Sequence, residues 1–129
     1  MSSRPQKAIL PAAVLAAIVE GVSGLSVEER KIESLCNKII EVKNEGLDIG
    51  MIAIRRIANG YYSEEMDRFL SFLVTFGYAE DSSPVELNNS GHEYCKRIIR
   101  SEHEKNPDGV EKLVQILSLN ISFEQIDSA

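Results

Sequence analysis

Residues 61–99 constrain this chain more than any other stretch: YYSEEMDRFLSFLVTFGYAEDSSPVELNNSGHEYCKRII. Behind Ser63, a good N-cap, Met66, Phe69, Leu70, Leu73 and Phe76 recur at helical spacing, and Phe72 and Val74 broaden the stripe. Gly77 closes this helix. Tyr78-Ala79-Glu80 then reads as a short strand, Asp81-Ser82-Ser83-Pro84 as a turn, and Val85-Glu86-Leu87 as the return strand. Asn88 is a suitable cap for a further helix over 89–104, with Tyr94, Cys95, Ile98 and Ile99 facing inward. The spacing predicts helix, hairpin, helix.

Three more helices are expected upstream. The first starts near Pro11, ends around Gly21 and Gly24, and is apolar nearly all round, which suits the domain centre or a dimer seam. Arg4 and Lys7 ahead of the apolar run 8–19 also match the outline of an export signal. Against that, Glu20 follows directly and no A-x-A site is visible; the run is also too short to cross a membrane, which takes about 20 apolar residues. The second helix opens on Ser26-Val27-Glu28-Glu29, a capping box, and carries Ile32, Leu35, Cys36, Ile39 and Ile40 as one stripe. The third is expected over 48–58, with Met51, Ile54 and Ala58 on one side and Arg55 and Arg56 on what remains, before Asn59-Gly60 stops it. Downstream, Asn106-Pro107 opens a last helix, to about residue 119, through Val110, Leu113, Val114 and Leu117. Residues 1–119 thus read as a single domain, and 120–129 as a loose C-terminal tail with a short turn at Ser122-Phe123-Glu124-Gln125.

A net charge of −6 disfavours nonspecific attraction to nucleic acid or to an anionic membrane. Cys36 and Cys95 each fall among apolar helix residues, the usual setting of a buried free thiol. Two cysteines and two histidines at wide spacing form no zinc pattern, so no metal and no cofactor is expected. No serine sits in a G-x-S-x-G elbow and no glycine run resembles a phosphate loop. The expectation is therefore not an enzyme, and, with no targeting motif or transmembrane segment visible, a cytoplasmic protein.

The segments Leu70-x-x-Leu73-x-x-x-Gly77-Tyr78-Ala79-Glu80 and Val85-Glu86-Leu87-Asn88-x-x-Gly91 resemble the winged-helix superfamily, over residues 47–100. In that family a leucine-threonine-x-x-glycine segment opens the helix after the hairpin; here Asn88 replaces the threonine. Tyr61-Tyr62-Ser63-Glu64-Glu65-Met66-Asp67 is similar to the start of the same helix in prokaryotic modules of the Panacea type, known as antitoxin and adaptor domains. The resemblance implies a mainly α fold with a small β-hairpin: a winged helix-turn-helix with an extra N-terminal helix and a C-terminal helix. It would make 64–76 the recognition helix and 81–84 the wing tip.

Chemistry at those positions is unusual for a DNA reader. Residues 63–83 hold five acidic groups, Glu64, Glu65, Asp67, Glu80 and Asp81, against one basic, Arg68. DNA affinity depends on lysine and arginine displacing counterions, and this segment would do the reverse. The carboxylates also suit a helix N-terminus, whatever that helix binds. The expected role is a non-enzymatic regulatory module whose acidic helix and hairpin, through Glu64, Glu65, Asp67 and Asp81, meet a basic protein partner. The alternative is a DNA-binding transcription regulator, a homodimer through helix 11–21 or helix 107–119. It would use Arg68, Ser71 and Thr75 on base edges, and Arg55, Arg56, Lys96, Arg97 and Arg100 on phosphates. In the helix over 89–104, His92, Lys96, Arg100 and His103 form one basic stripe. A purely structural assembly subunit is the third reading, from the apolar excess of the first and last helices.

Overall fold

A computed structural model describes residues 7–123. Those residues form five α-helices and two two-stranded antiparallel hairpins: α1 (Pro11–Val22), α2 (Ile32–Asn44), β1 (Arg55–Ile57), β2 (Gly60–Tyr62), α3 (Glu64–Thr75), β3 (Ala79–Ser82), β4 (Val85–Leu87), α4 (Asn89–Lys105) and α5 (Pro107–Leu117).

The apolar first helix is the centre of the molecule. Residues 13–20 and Val22 of α1 are buried, and the helix lies against α4, α2 and α5. Three alanines in it, Ala13, Ala16 and Ala17, are fully buried, and such small side chains let neighbouring helices come close. Its start is held by an acceptor from another element: Leu10 N donates to Glu102 Oε2 at 3.0 Å, and that carboxylate is itself buried. A helix covered this way by its own chain leaves no face for the dimer seam expected at 11–21. It is a core element, and no helix of the described residues is long and apolar enough to cross a membrane.

Two upstream expectations change. Half of the box at Ser26 forms: Glu29 N donates to Ser26 Oγ at 3.4 Å, while Glu29 Oε1 accepts from the Ser26 hydroxyl at 3.1 Å rather than from its backbone N–H. It nucleates only a short 3-10 turn, Glu28–Arg30; Lys31 is extended, and α2 begins at Ile32. The helix expected over 48–58 does not form. Leu47, Ile49 and Ile52 are buried instead, Gly50 takes φ +72°, and Asp48 Oδ1 accepts from Gly50 N at 3.0 Å in a tight turn. Asp48 O also accepts from Ile9 N, tying this segment to the chain before α1. Beyond it the chain becomes β1 and pairs with β2 in the register Arg55↔Tyr62, Arg56↔Tyr61, Ile57↔Gly60. Ala58-Asn59 forms the two-residue turn and Gly60 already pairs with Ile57, so Asn59-Gly60 closes a hairpin rather than stopping a helix.

From Ser63 onward the expectations hold closely. Ser63 is fully buried and its Oγ accepts from Met66 N at 3.2 Å, starting α3. Gly77 leaves α3 at φ +78°, and β3 pairs with β4 with an irregularity between Ala79 and Asp81. Asn88 Oδ1 accepts from Gly91 N at 2.9 Å to start α4, and Asn106 Oδ1 accepts from Gly109 N at 3.2 Å to start α5. Cys36 and Cys95 are buried free thiols. The segment expected as a loose tail is attached as far as it is described: Ile121 and Phe123 lie against the core, and the Phe123 ring stacks on His103 with centroids 4.0 Å apart. Glu124 and Gln125, half of the expected turn, lie outside the described residues.

Candidate interaction surface

The hairpin of β1 and β2 sits at the amino end of α3 and brings together residues the sequence keeps apart. Antiparallel register places Arg55 opposite Tyr62 and Arg56 opposite Tyr61. Each guanidinium lies over the facing ring, at 5.0 Å for Arg55 on Tyr62 and 5.7 Å for Arg56 on Tyr61, within reach of cation–π attraction. Tyr62 in turn donates its hydroxyl proton to Asp67 Oδ2 at 2.6 Å. That bond, helped by desolvation and by the negative charge of Asp67 and Glu64, pushes the Tyr62 hydroxyl up from its ordinary value, and Arg55 pulls the other way.

The carboxylates chosen from the sequence have different fates. Glu65 Oε1 accepts from Ala53 N and from Ser63 Oγ, both at 3.3 Å, so it fastens the segment before β1 to the start of α3. Asp67 is occupied by Tyr62. Glu64 is exposed and pairs with Arg68 at 3.1 Å, one helical turn on. Asp81 is exposed in β3, where its Oδ1 accepts from Ser82 N at 2.7 Å and from Ser83 N at 3.4 Å within its own turn. Counting from β1 instead of Ser63 sets three arginines against the same five carboxylates, so the surface bears both signs rather than one. A cleft of about 280 Å³ lies between hairpin and helix, lined by Ala53, Ile54, Arg55, Tyr62, Glu64 and Glu65.

The residues named for DNA contact come from three elements, β1, α3 and α4. Ser71 and Thr75 are exposed on α3, while Lys96, Arg97 and Arg100 belong to α4. The turn between β3 and β4 is tied down: Ile32 N donates to Ser83 Oγ at 3.0 Å, and Arg30 Nη1 donates to Val85 O at 2.7 Å while lying 3.6 Å from Glu86. The basic stripe expected on α4 is interrupted. His92 Nδ1 lies 2.5 Å from the buried Glu20 carboxylate, and His103 Nε2 lies 2.8 Å from Glu111. Lys96 is half-buried beside a polar cavity of about 430 Å³ that His92, Glu20 and Ser23 also line.

Ser23 Oγ is 3.5 Å from His92 Nε2, so serine, histidine and glutamate follow in the order of a nucleophilic relay. The environment opposes that chemistry. Ser23 is the C-cap of α1, where helix carbonyls disfavour a developing negative charge rather than stabilising it. The group acts as a polar clamp between α1 and α4. Among the described residues no cluster of His, Cys, Asp and Glu could hold a metal ion.

Two features escaped the sequence reading. One is the Arg–Tyr pairing of β1 and β2, whose signal was the Asn59-Gly60 dipeptide where the hairpin closes. The other is an aromatic cluster where α3 ends: Phe72 lies 4.7 Å from Phe76, 6.2 Å from Tyr78 and 5.6 Å from Tyr94, and Tyr78 stacks on Tyr94 at 4.4 Å. The i, i+4 spacing of Phe72 and Phe76 was its only local trace. No protein-family model, curated protein or solved structure matches this chain.

Proposed function

We propose that this chain is a regulatory module of winged-helix type that acts by binding another protein, without chemistry of its own. The order α3, Gly77, β3, β4, α4 supports the winged-helix part. The single observation that carries the binding part is the pair of Arg–Tyr contacts on β1 and β2 beside the Glu64–Arg68 pair. Tyrosine and arginine are the residues most often found at the energetic centre of protein interfaces, and here their side chains are already arranged. The recognising surface is the cleft-bearing junction of hairpin and α3, and its mixed charge fits a partner bearing both signs. Asp81 and the wing turn take a smaller part, since their polar groups serve the turn itself. A DNA-reading role has less support: the turn between β3 and β4 carries no lysine or arginine and is bound back to Arg30 and Ile32.

The test is affinity capture from the cells of origin with the wild-type chain, Arg55→Ala, Tyr62→Ala, Glu64→Lys and, as a distant control, Lys43→Ala. A protein held by wild type and Lys43→Ala but lost from the other three is the expected result. Glu65→Lys is a poor probe, because it also removes the acceptor of Ala53 N and Ser63 Oγ. Capture of nucleic acid instead, with a low-salt gel shift that fades as salt rises, would transfer the role to DNA.

A further inference from the structure

The aromatic cluster where α3 ends lies apart from the hairpin surface and has its own logic. Phe76 is 64 % exposed, the largest exposed ring among the described residues, yet it is held in place by Phe72 behind it. Phe72, Tyr78 and Tyr94 are half-buried and complete a platform from α3, the start of β3 and α4. Rigid aromatic area of this kind costs little conformational entropy on binding and favours the centre of an interface.

Charge around the platform points to its occupant. Tyr94 is flanked on α4 by Glu93 and Arg97, both exposed. Neither makes an ion pair among the described residues, although at i, i+4 they could pair with each other. Arg68 on α3, one turn before Phe72, and Glu80 on β3, two residues after Tyr78, add one charge of each sign, both exposed. The rim therefore holds two positive and two negative groups on a chain whose net charge is −6. A strongly basic or strongly acidic partner would leave half of this rim repelled. A second copy of the same surface can avoid this, because a two-fold axis that sets one positive group against a negative group of the other copy makes the reciprocal pair as well. Copies of an acidic protein repel each other generally, and this balanced patch is where approach costs least.

We propose that the chain forms a two-fold homodimer through this aromatic platform, with Phe76 of each copy against the platform of the other and Arg97 of one copy opposite Glu93 of the other. Neither helix expected from the sequence to form the seam is used: α1 is buried, and α5 contributes no ring to the platform. The dimer leaves the junction of hairpin and α3 open, so this interface stands or falls separately from the proposed partner surface.

Sedimentation velocity over a wide concentration range tests it. Wild type is expected to pass from monomer to dimer as concentration rises. Phe76→Ala should stay monomeric at concentrations where wild type is dimeric, and at concentrations where both are monomeric its thermal melt should be unchanged, since this ring is mostly in solvent. Arg97→Glu should weaken association at least tenfold, and the swap Glu93→Arg with Arg97→Glu should restore it, because exchanging the two charges within each copy rebuilds both cross-dimer pairs. A wild type that stays monomeric throughout overturns the proposal. So does a Phe76→Ala variant that associates as wild type does, or a charge swap that fails to recover what Arg97→Glu lost.

Discussion

Cys95 illustrates how much one side chain can report about burial. It is fully enclosed in α4, and burial, with a smaller contribution from the nearby Glu20 carboxylate, pushes its thiol up to about 12. Below about pH 9 the thiol is protonated in both folded and unfolded chains, so it adds no pH dependence there. Between about pH 9 and 12 the unfolded chain loses the proton while the folded one keeps it, and stability falls as pH rises. The slope from this group reaches about 1.4 kcal/mol per pH unit. Wild type should therefore lose roughly 1 kcal/mol more than Cys95→Ala between about pH 8 and pH 10, as read from urea midpoints. Cys36, also pushed up by burial, is present in both proteins and cancels in that comparison. Equal losses in the two proteins would mean that water reaches Cys95. Neighbouring Gly91 makes the same point about space: a Cβ there would overlap the Tyr78 carbonyl oxygen, so the spacing of Asn88 and Gly91 reflects packing of α4 on the chain leaving α3.

Elements differ in how far their own residues determine them. α3, the β3–β4 hairpin and α4 were legible because each boundary is chemically local: Ser63 bonds Met66 N, Gly77 takes a positive φ, and Asn88 bonds Gly91 N. The segment 48–58 was not, because its fate depends on distant partners. Ile9 claims Asp48 O, Glu65 claims Ala53 N, and Arg55 finds Tyr62 across a turn, all of which outweigh a short helical pattern through Met51 and Ile54. The site follows the same division. Its charged residues were visible as types, but the hydrogen bonds that commit Glu65 and Asp67 to the fold exist only once the hairpin forms. The β3–β4 hairpin depends on one distant residue as well. Arg30 Nε donates to Leu25 O at 3.1 Å and its Nη1 to Val85 O at 2.7 Å, joining the 3-10 turn to β4. Arg30→Ala should cost roughly 1–3 kcal/mol, the range for charge-assisted hydrogen bonds lost from a partly buried site. Hydrogen exchange should localise the change to residues 82–87. Arg30→Lys should recover little of it, because an ammonium cannot bridge two carbonyls in the guanidinium's fork geometry. An unchanged exchange pattern would show that the β3–β4 hairpin is held without Arg30, as by the Ile32–Ser83 bond.

At the scale of the molecule, α1 decides whether the rest can exist. Its buried residues meet α2, α4 and α5, and its polar attachments reach the far part of the chain: Leu10 N to Glu102, Glu20 to His92, and Ser23 to His92. Removing it would expose Leu35, Ile39, Cys95, Ile99 and Leu113, all fully enclosed in the intact chain, and strand the buried Glu102 carboxylate without its donor. Each large apolar side chain returned to water costs about 1.5–3 kcal/mol. A few such losses match the whole stability of a typical domain, about 5–15 kcal/mol. A chain beginning at Leu25 should therefore show no cooperative thermal transition and weak near-ultraviolet circular dichroism, while α3 and α4 keep part of their helical signal. An export signal behaves oppositely, because the mature protein must fold after losing it. A sharp melt from the shortened chain would thus return residues 1–24 to the signal reading. It would also require the remaining helices to close over the space that α1 now fills.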